Sequence, residues 1–207
     1  MKESPTMSKV ILIDNGHGQD TKGKRSPDGL LMEWAFTRII AERVAARMKA
    51  LCIDARIIVP EKWDVSLTER VRRVNTVCRQ VGSANVALVS IHVNAAGSDG
   101  QWHDASGFSV WVAKACSEES KRLARLMYDE AERRDLKGNR SVPRERYWQA
   151  DFAMVKSTSC PAVLTENLFQ DNKKDVAFLL TERGKQAIVD LHVAAIMKYL
   201  SMQSPIY

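Results

Sequence analysis

The stretch Val86-Ala87-Leu88-Val89-Ser90-Ile91 is almost entirely apolar and contains neither glycine nor proline. A strand of this kind has two apolar faces, and both must be covered. That is the condition of a strand inside a mostly parallel sheet flanked by helices. The run passes directly into His92-Val93-Asn94. Ligands of open α/β sheets bind beyond the carboxyl ends of the strands, which makes a histidine in this position a candidate functional residue. Two further runs end in the same way. Val10-Ile11-Leu12-Ile13 stops at Asp14-Asn15-Gly16-His17-Gly18, where a glycine on either side of His17 lets the backbone turn sharply and another atom approach closely. Ala162 to Thr165 hands over to Glu166.

Between these runs the periodicity changes. Phe36, Ile40, Val44, Met48 and Leu51 recur at helical spacing and predict an amphipathic helix over about Leu31 to Leu51. Ile53 to Val59 reads as a second strand closed by Pro60. Ser66 and Glu69 then form a capping-box signature for a helix that carries Leu67, Val71, Val74, Cys78 and Val81 on one face and ends at Gly82. After a loop from Gly97 to Ser106, Phe108 to Val112 is a further strand, and Ser117 begins a helix that runs to about Arg134. The stretch Leu136 to Ala150 is basic and irregular. Phe152 to Val155 and Ala162 to Thr165 read as short strands, followed by helices over Lys173 to Leu180 and Glu182 to Leu200. The expectation is an α/β, single-domain sandwich: a central, mostly parallel mixed sheet of about six strands covered by helices on both faces. The domain is expected over residues 9–201, with a disordered N-terminal segment at 1–8 and a C-terminal tail at 202–207.

With 207 residues, 45% of them apolar, the chain can bury a full core without a metal or disulfide. The four cysteines, Cys52, Cys78, Cys116 and Cys160, contain no C-x-x-C pair and read as reduced, mostly buried thiols. The net charge of +6 favours an anionic partner such as an anionic wall polymer, a lipid surface or nucleic acid. No basic block interleaved with aromatics supports nucleic acid, and Arg70, Arg72 and Arg73 read as a solvated helix face. Thr21 stands at the third glycine position of a dinucleotide fingerprint, which excludes that reading of Gly16-x-Gly18. No stretch reaches the length of a membrane span. The polar start, Met1 to Lys9, and the short apolar run after it predict no signal peptide, so synthesis is expected in the cytoplasm.

Taken together, His17, His92 and Glu166 follow strands, and Glu33 lies in the first turn of the helix after the His17 loop. Two histidines and a carboxylate with a fourth position left open are the ligand set of a catalytic zinc site, and a second carboxylate supplies a general base. Each residue also has a plainer reading: a turn histidine, a core histidine, an acid favoured at a helix N-terminus, a loop carboxylate. His103 is a rival ligand. His192, amid Leu191, Val193 and Ala195, reads as structural.

These residues also bring a family into view. Ile13 to Gly18, Glu33, Ser90 to Ala95, Gly107-Phe108, and Pro161 to Glu166 followed by Phe169 and Asn172 resemble the zinc-dependent N-acetylmuramoyl-L-alanine amidases. The resemblance runs in order from about Lys9 to Leu200, and Asp64, Leu67, Arg70 and Asn75 also fit the family pattern. It implies an α/β sandwich, Zn2+ bound by His17, Glu33 and His92, Glu166 as catalytic carboxylate, and peptidoglycan or a muropeptide as substrate. Asn15 stands where the family usually has proline, and Asn167-Leu168-Phe169 where a glycine-phenylalanine pair is usual. Ser117 begins a helix almost directly after the Phe108 to Val112 strand, so the inserted regulatory helix of some relatives is absent and an uninhibited enzyme is expected. Asn94, Trp102 and Arg140 are candidate substrate contacts, Arg140 as part of a basic groove with Arg144, Arg146, Tyr147 and Trp148. The competing reading of that segment is a solvated loop. A zinc peptidase acting on stem peptides and a non-catalytic wall-binding module are the alternative functions. Without a leader, the enzyme is expected to reach the bacterial wall after lysis or through a separate pore, or else to act on imported fragments.

Overall fold

A computed structural model describes residues 9–201. The strands β1 (Val10–Asn15), β2 (Ala55–Ile57), β3 (Val86–Asn94), β4 (Ser109–Val112), β5 (Trp148–Gln149) and β6 (Ala162–Phe169) form one sheet in the order β2-β1-β3-β6-β4-β5. Strands β2, β1, β3 and β6 run parallel, whereas β4 is antiparallel to β6 and parallel to β5. The sheet is therefore mixed, and its four-stranded parallel part brings the ends of β1, β3 and β6 to one edge.

Side-chain alternation along β1 shows how the sheet divides the core. Ile11 and Ile13 face a large cluster built with α1 (Glu33–Ala50), α3 (Glu118–Arg133) and α6 (Glu182–Ser201). Val10 and Leu12 face a smaller one built with α2 (Leu67–Val81) and α4 (Ala153–Lys156). Leu88 in β3 is fully buried, in keeping with its two-sided apolar run, and such a side chain contributes roughly 1.5–3 kcal/mol. The Ser66 side chain accepts from the Glu69 backbone N–H at 3.3 Å and Ser117 from that of Ser120 at 3.2 Å, so both expected caps form. A further helix, α5 (Lys173–Leu179), begins at Asn172, whose side chain accepts from the backbone N–H groups of Lys174 and Asp175.

Four expectations are corrected. Phe152 to Val155 is not a strand: Phe152 caps the single-turn helix α4, because four apolar residues fit either period and packing against α2 and β6 decides. The second strand is confined to Ala55–Ile57 within the Ile53 to Val59 stretch. The irregular basic stretch contains the short strand β5, which pairs Trp148 and Gln149 with Trp111 and Val112. Finally, all four thiols are free, but Cys78 and Cys160 alone are buried, while Cys116 is half-buried and Cys52 exposed. Residues 113–117 link β4 to α3 without an inserted helix. Among the described residues no helix is long and apolar enough to cross a membrane. The proposed termini at 1–8 and 202–207 lie outside the described residues.

Candidate active site

The β1 end turns within one residue of leaving the sheet. His17 adopts a left-handed backbone (φ 62°), sparsely populated for a residue with a side chain, and the surroundings must hold it there. Its carbonyl oxygen accepts from Arg38 Nη1 at 3.0 Å and Arg70 Nη2 at 3.2 Å. Arg70 is only 2% exposed and also donates to Asp14 Oδ1 at 2.8 Å, the Asn15 carbonyl at 2.7 Å and Asp64 Oδ1 at 3.0 Å. The expectation of a solvated face is thus wrong for Arg70, which is buried because Asp14 at the end of β1 needs a counter-charge. Gly16 is required by proximity: a Cβ there would lie 2.4 Å from the His92 ring. Asn15 ties the same turn to the end of the β2 segment, donating Nδ2 to the Val59 carbonyl at 3.1 Å.

His17, Glu33 and His92 converge. Each offers one ligand atom, and these atoms lie within 4.8 Å of one another. Glu33 Oε1 is 3.4 Å from His17 Nε2 and 3.2 Å from His92 Nδ1, and it accepts from the Val93 backbone N–H at 3.0 Å. The imidazole rings stand edge to face, with centroids 5.1 Å apart. Glu33 is 1% exposed, whereas His17 and His92 keep 19% and 17% of their side-chain surface, so the cluster opens on the histidine side. Burial pushes the His17 imidazole down to about 4, leaving it neutral and able to ligate at neutral pH. Burial alone would raise the Glu33 carboxyl, but the hydrogen bond and charge of His92, with the charge of His17 and the Val93 N–H, hold it below its ordinary value. Glu33 Oε2 is buried without a partner. Glu33 thus engages both imidazoles through Oε1 and keeps a buried, unpartnered Oε2 beside them, and two imidazoles with a carboxylate are a donor set that suits zinc.

Glu166 stands one strand away. It pairs in register with His92 across β3 and β6, and the two side chains leave the sheet on the same face. Its Oε2 is also buried and unpartnered, and burial pushes the carboxyl up to about 7. The strand that carries it is braced from beneath. Asn167 Nδ2 donates to the His92 carbonyl at 2.9 Å, and Thr165 Oγ1 lies 3.0 Å from His192 Nε2. His192 Nδ1 faces the Ile188 carbonyl at 2.8 Å and must carry the proton, so Nε2 accepts from Thr165.

His192 is fully buried, and burial pulls its imidazole from 6.5 down to about 4. The neutral ring therefore contributes stability in full above pH 6.5, and the contribution drains away as pH falls toward 4. Its size is about 3 kcal/mol. With chelator present throughout, His192→Gln is expected to lose less stability than wild type between pH 7 and pH 4, by about that amount in urea unfolding. Parallel pH dependences in the two proteins would show that His192 is not the titrating group.

The remaining candidates lie on the surrounding loops. Asn94 Oδ1 accepts from the Ala95 N–H at 2.9 Å. Trp102 packs on the larger core with Lys173 Nζ 5.8 Å from its ring. His103 pairs with Asp99 at 2.9 Å and stands outside the metal-type cluster. In the basic segment the three arginines part company. Arg144 is exposed and Arg146 pairs with Asp129 and Glu132, whereas the Arg140 guanidinium lies between the rings of Trp148 (4.9 Å) and Phe169 (5.0 Å). A solvated loop does not describe Arg140. The stacking depends on residues of β5 and β6, which local sequence does not place.

Two imidazoles from strand ends and a carboxylate from the start of α1, beside a second carboxylate on β6, form a cluster that could hold a metal ion, the kind of site found in hydrolases. The sequence profile of the N-acetylmuramoyl-L-alanine amidases matches residues 11–198, and the chain belongs to that family. It is a peptidoglycan amidase. The chain is 24% identical over 199 residues to an endolysin of Bacillus phage SPP1, a match that covers 95% of this chain and 68% of the endolysin. Among solved structures, the catalytic domain of the amidase CwlV from Bacillus (Paenibacillus) polymyxa var. colistinus superposes with a TM-score of 0.77 at 23% identity, over 94% of this chain and 99% of that one. The amidase Ami1 of Mycobacterium smegmatis gives 0.80 at 19% identity, over 95% and 99%.

Proposed function

We propose that this chain is a zinc hydrolase that cleaves the amide between the lactyl group of N-acetylmuramic acid and the L-alanine of the stem peptide. The observation that carries the reading is the convergence of His17, Glu33 and His92 within 4.8 Å, with Glu166 in register beside His92. His17, Glu33 and His92 would hold the ion. Bound zinc supplies Lewis acidity, which polarises the scissile carbonyl and acidifies water.

Glu166 does the proton transfer. Its carboxyl, near 7, accepts a proton from the attacking water at neutral pH and returns it to the departing alanine nitrogen. The C–N bond breaks, giving the muramyl carboxylate and a free amine. Glu33 orients the two histidines and keeps its second oxygen free for the ion. Asn94, with Oδ1 engaged in its own turn, offers Nδ2 to the substrate, and Trp102 borders the groove. The site of action is the bacterial cell wall.

Chelator-treated protein reconstituted with zinc, magnesium or calcium and given a defined N-acetylmuramoyl peptide tests the proposal. Release of L-alanine amino groups is expected with zinc, and equal activity after chelation without added metal would overturn it.

A further inference from the structure

Arg140 differs from the exposed Arg144 of the same segment in being enclosed between aromatic rings. Its Nε and Nη2 are buried and have no hydrogen-bond partner. The flanking rings of Trp148 and Phe169 stabilise the charge through their faces but accept no in-plane N–H bond. Arg122, Arg133, Arg134 and Arg146 all pair with carboxylates of the protein. Among the described residues Arg140 makes no ion pair, although it lies in the field of Glu166, whose Oε2 is likewise unpartnered. A buried donor left unpaired costs about 1–3 kcal/mol, so an aromatic clamp that holds an unpaired cation beside a catalytic carboxylate requires another explanation. Lys24, from the loop after β1, brings a second positive charge to Glu166.

We propose that Arg140 is a specificity-determining residue that receives a free carboxylate of the substrate, one residue beyond the scissile amide on the departing-peptide side. A planar guanidinium with fixed orientation is matched by a carboxylate, and a neutral carboxamide is a poorer partner because it carries no charge. In the stem peptide the residue after L-alanine is a γ-linked glutamate, whose α-carboxyl group is free in some walls and amidated in others. The chain therefore discriminates in favour of the free acid. This rests on the amidase reading above for the placement of substrate. Lys24 adds long-range attraction for the same anion.

The test compares two synthetic ligands, N-acetylmuramoyl-L-alanyl-γ-D-glutamate and its isoglutamine counterpart, by calorimetric binding to zinc-loaded Glu166→Gln protein, which binds without turnover. The free acid is expected to bind about 10- to 100-fold more tightly. The preference should vanish in Glu166→Gln/Arg140→Gln and survive in part in Glu166→Gln/Arg140→Lys, which keeps the charge between the rings. Equal binding of the two ligands, or a preference that persists without Arg140, would overturn the proposal. Hydrolysis by the wild-type enzyme separates the two readings. If neither ligand is cut while the binding preference stands, the reaction assignment fails and the anion site remains. If both are cut at equal kcat/KM and bind equally, the reaction stands and the anion site fails.

Discussion

Replacing Glu166 by glutamine is expected to lower kcat by a factor of about 10³ or more while leaving metal content and folding unchanged. The amide keeps the shape of the carboxylate and the place in β6, but it cannot take a proton from water at neutral pH. Glu166 Oε2 has no partner in the protein, so the substitution breaks no internal bond there. Metal analysis, thermal unfolding and turnover on the same preparation check the prediction together. Turnover within about tenfold of wild type would remove Glu166 from the chemistry, since a positioned general base contributes at least about a hundredfold.

His92→Ala is expected to act in the opposite order, with the metal lost first and activity in consequence. Changing a partner of a ligand commonly costs 10- to 100-fold in metal affinity, so removal of a ligand should cost more than about a hundredfold. The His92 ring also packs against Gly16 and edge-on to His17, 5.1 Å between centroids, so its deletion releases the turn that holds the other imidazole. Titration with a competing chelator measures the affinity. A variant that retains stoichiometric metal with wild-type affinity would show that the ion is held elsewhere. Both the Glu166 and the His92 predictions follow from the division of roles between binding groups and a proton-transfer group.

The parts of this arrangement that sequence makes legible are those in which local pattern and tertiary position coincide. A buried strand is apolar over most of its length, so polar residues that follow an apolar run point to the functional side of the sheet; His17, His92 and Glu166 are found by that logic, although β3 and β6 continue past His92 and Glu166 to Asn94 and Phe169. Glu33 is less legible, because an acid in the first turn of a helix is expected on electrostatic grounds whether or not it meets two histidines. Its burial to 1% exposure distinguishes the two, and burial is not a local property. Arg70 and Arg72 look alike in sequence, two cations on one helix. Their fates differ because Arg70 faces the buried carboxylate of Asp14 and Arg72 faces Glu69 at the surface. Arg140 is the furthest from local reading. Its neighbours Trp148 and Phe169 come from strands that meet the segment only after the sheet assembles, so its sequence context shows charge and no enclosure. The strand expected over Phe152 to Val155 failed for a different reason: four apolar residues carry too little periodicity to choose between a helical turn and a strand.

Digestion of purified sacculi with zinc-loaded enzyme, followed by mass spectrometry of the soluble products, tests the central claim most directly. The account predicts intact stem peptides that bear new L-alanine amino groups and glycan strands that are stripped but uncut, with the release abolished by chelator and restored by zinc. Products with cleaved glycan strands, or with cut crosslinks and peptides still attached to muramic acid, would contradict it.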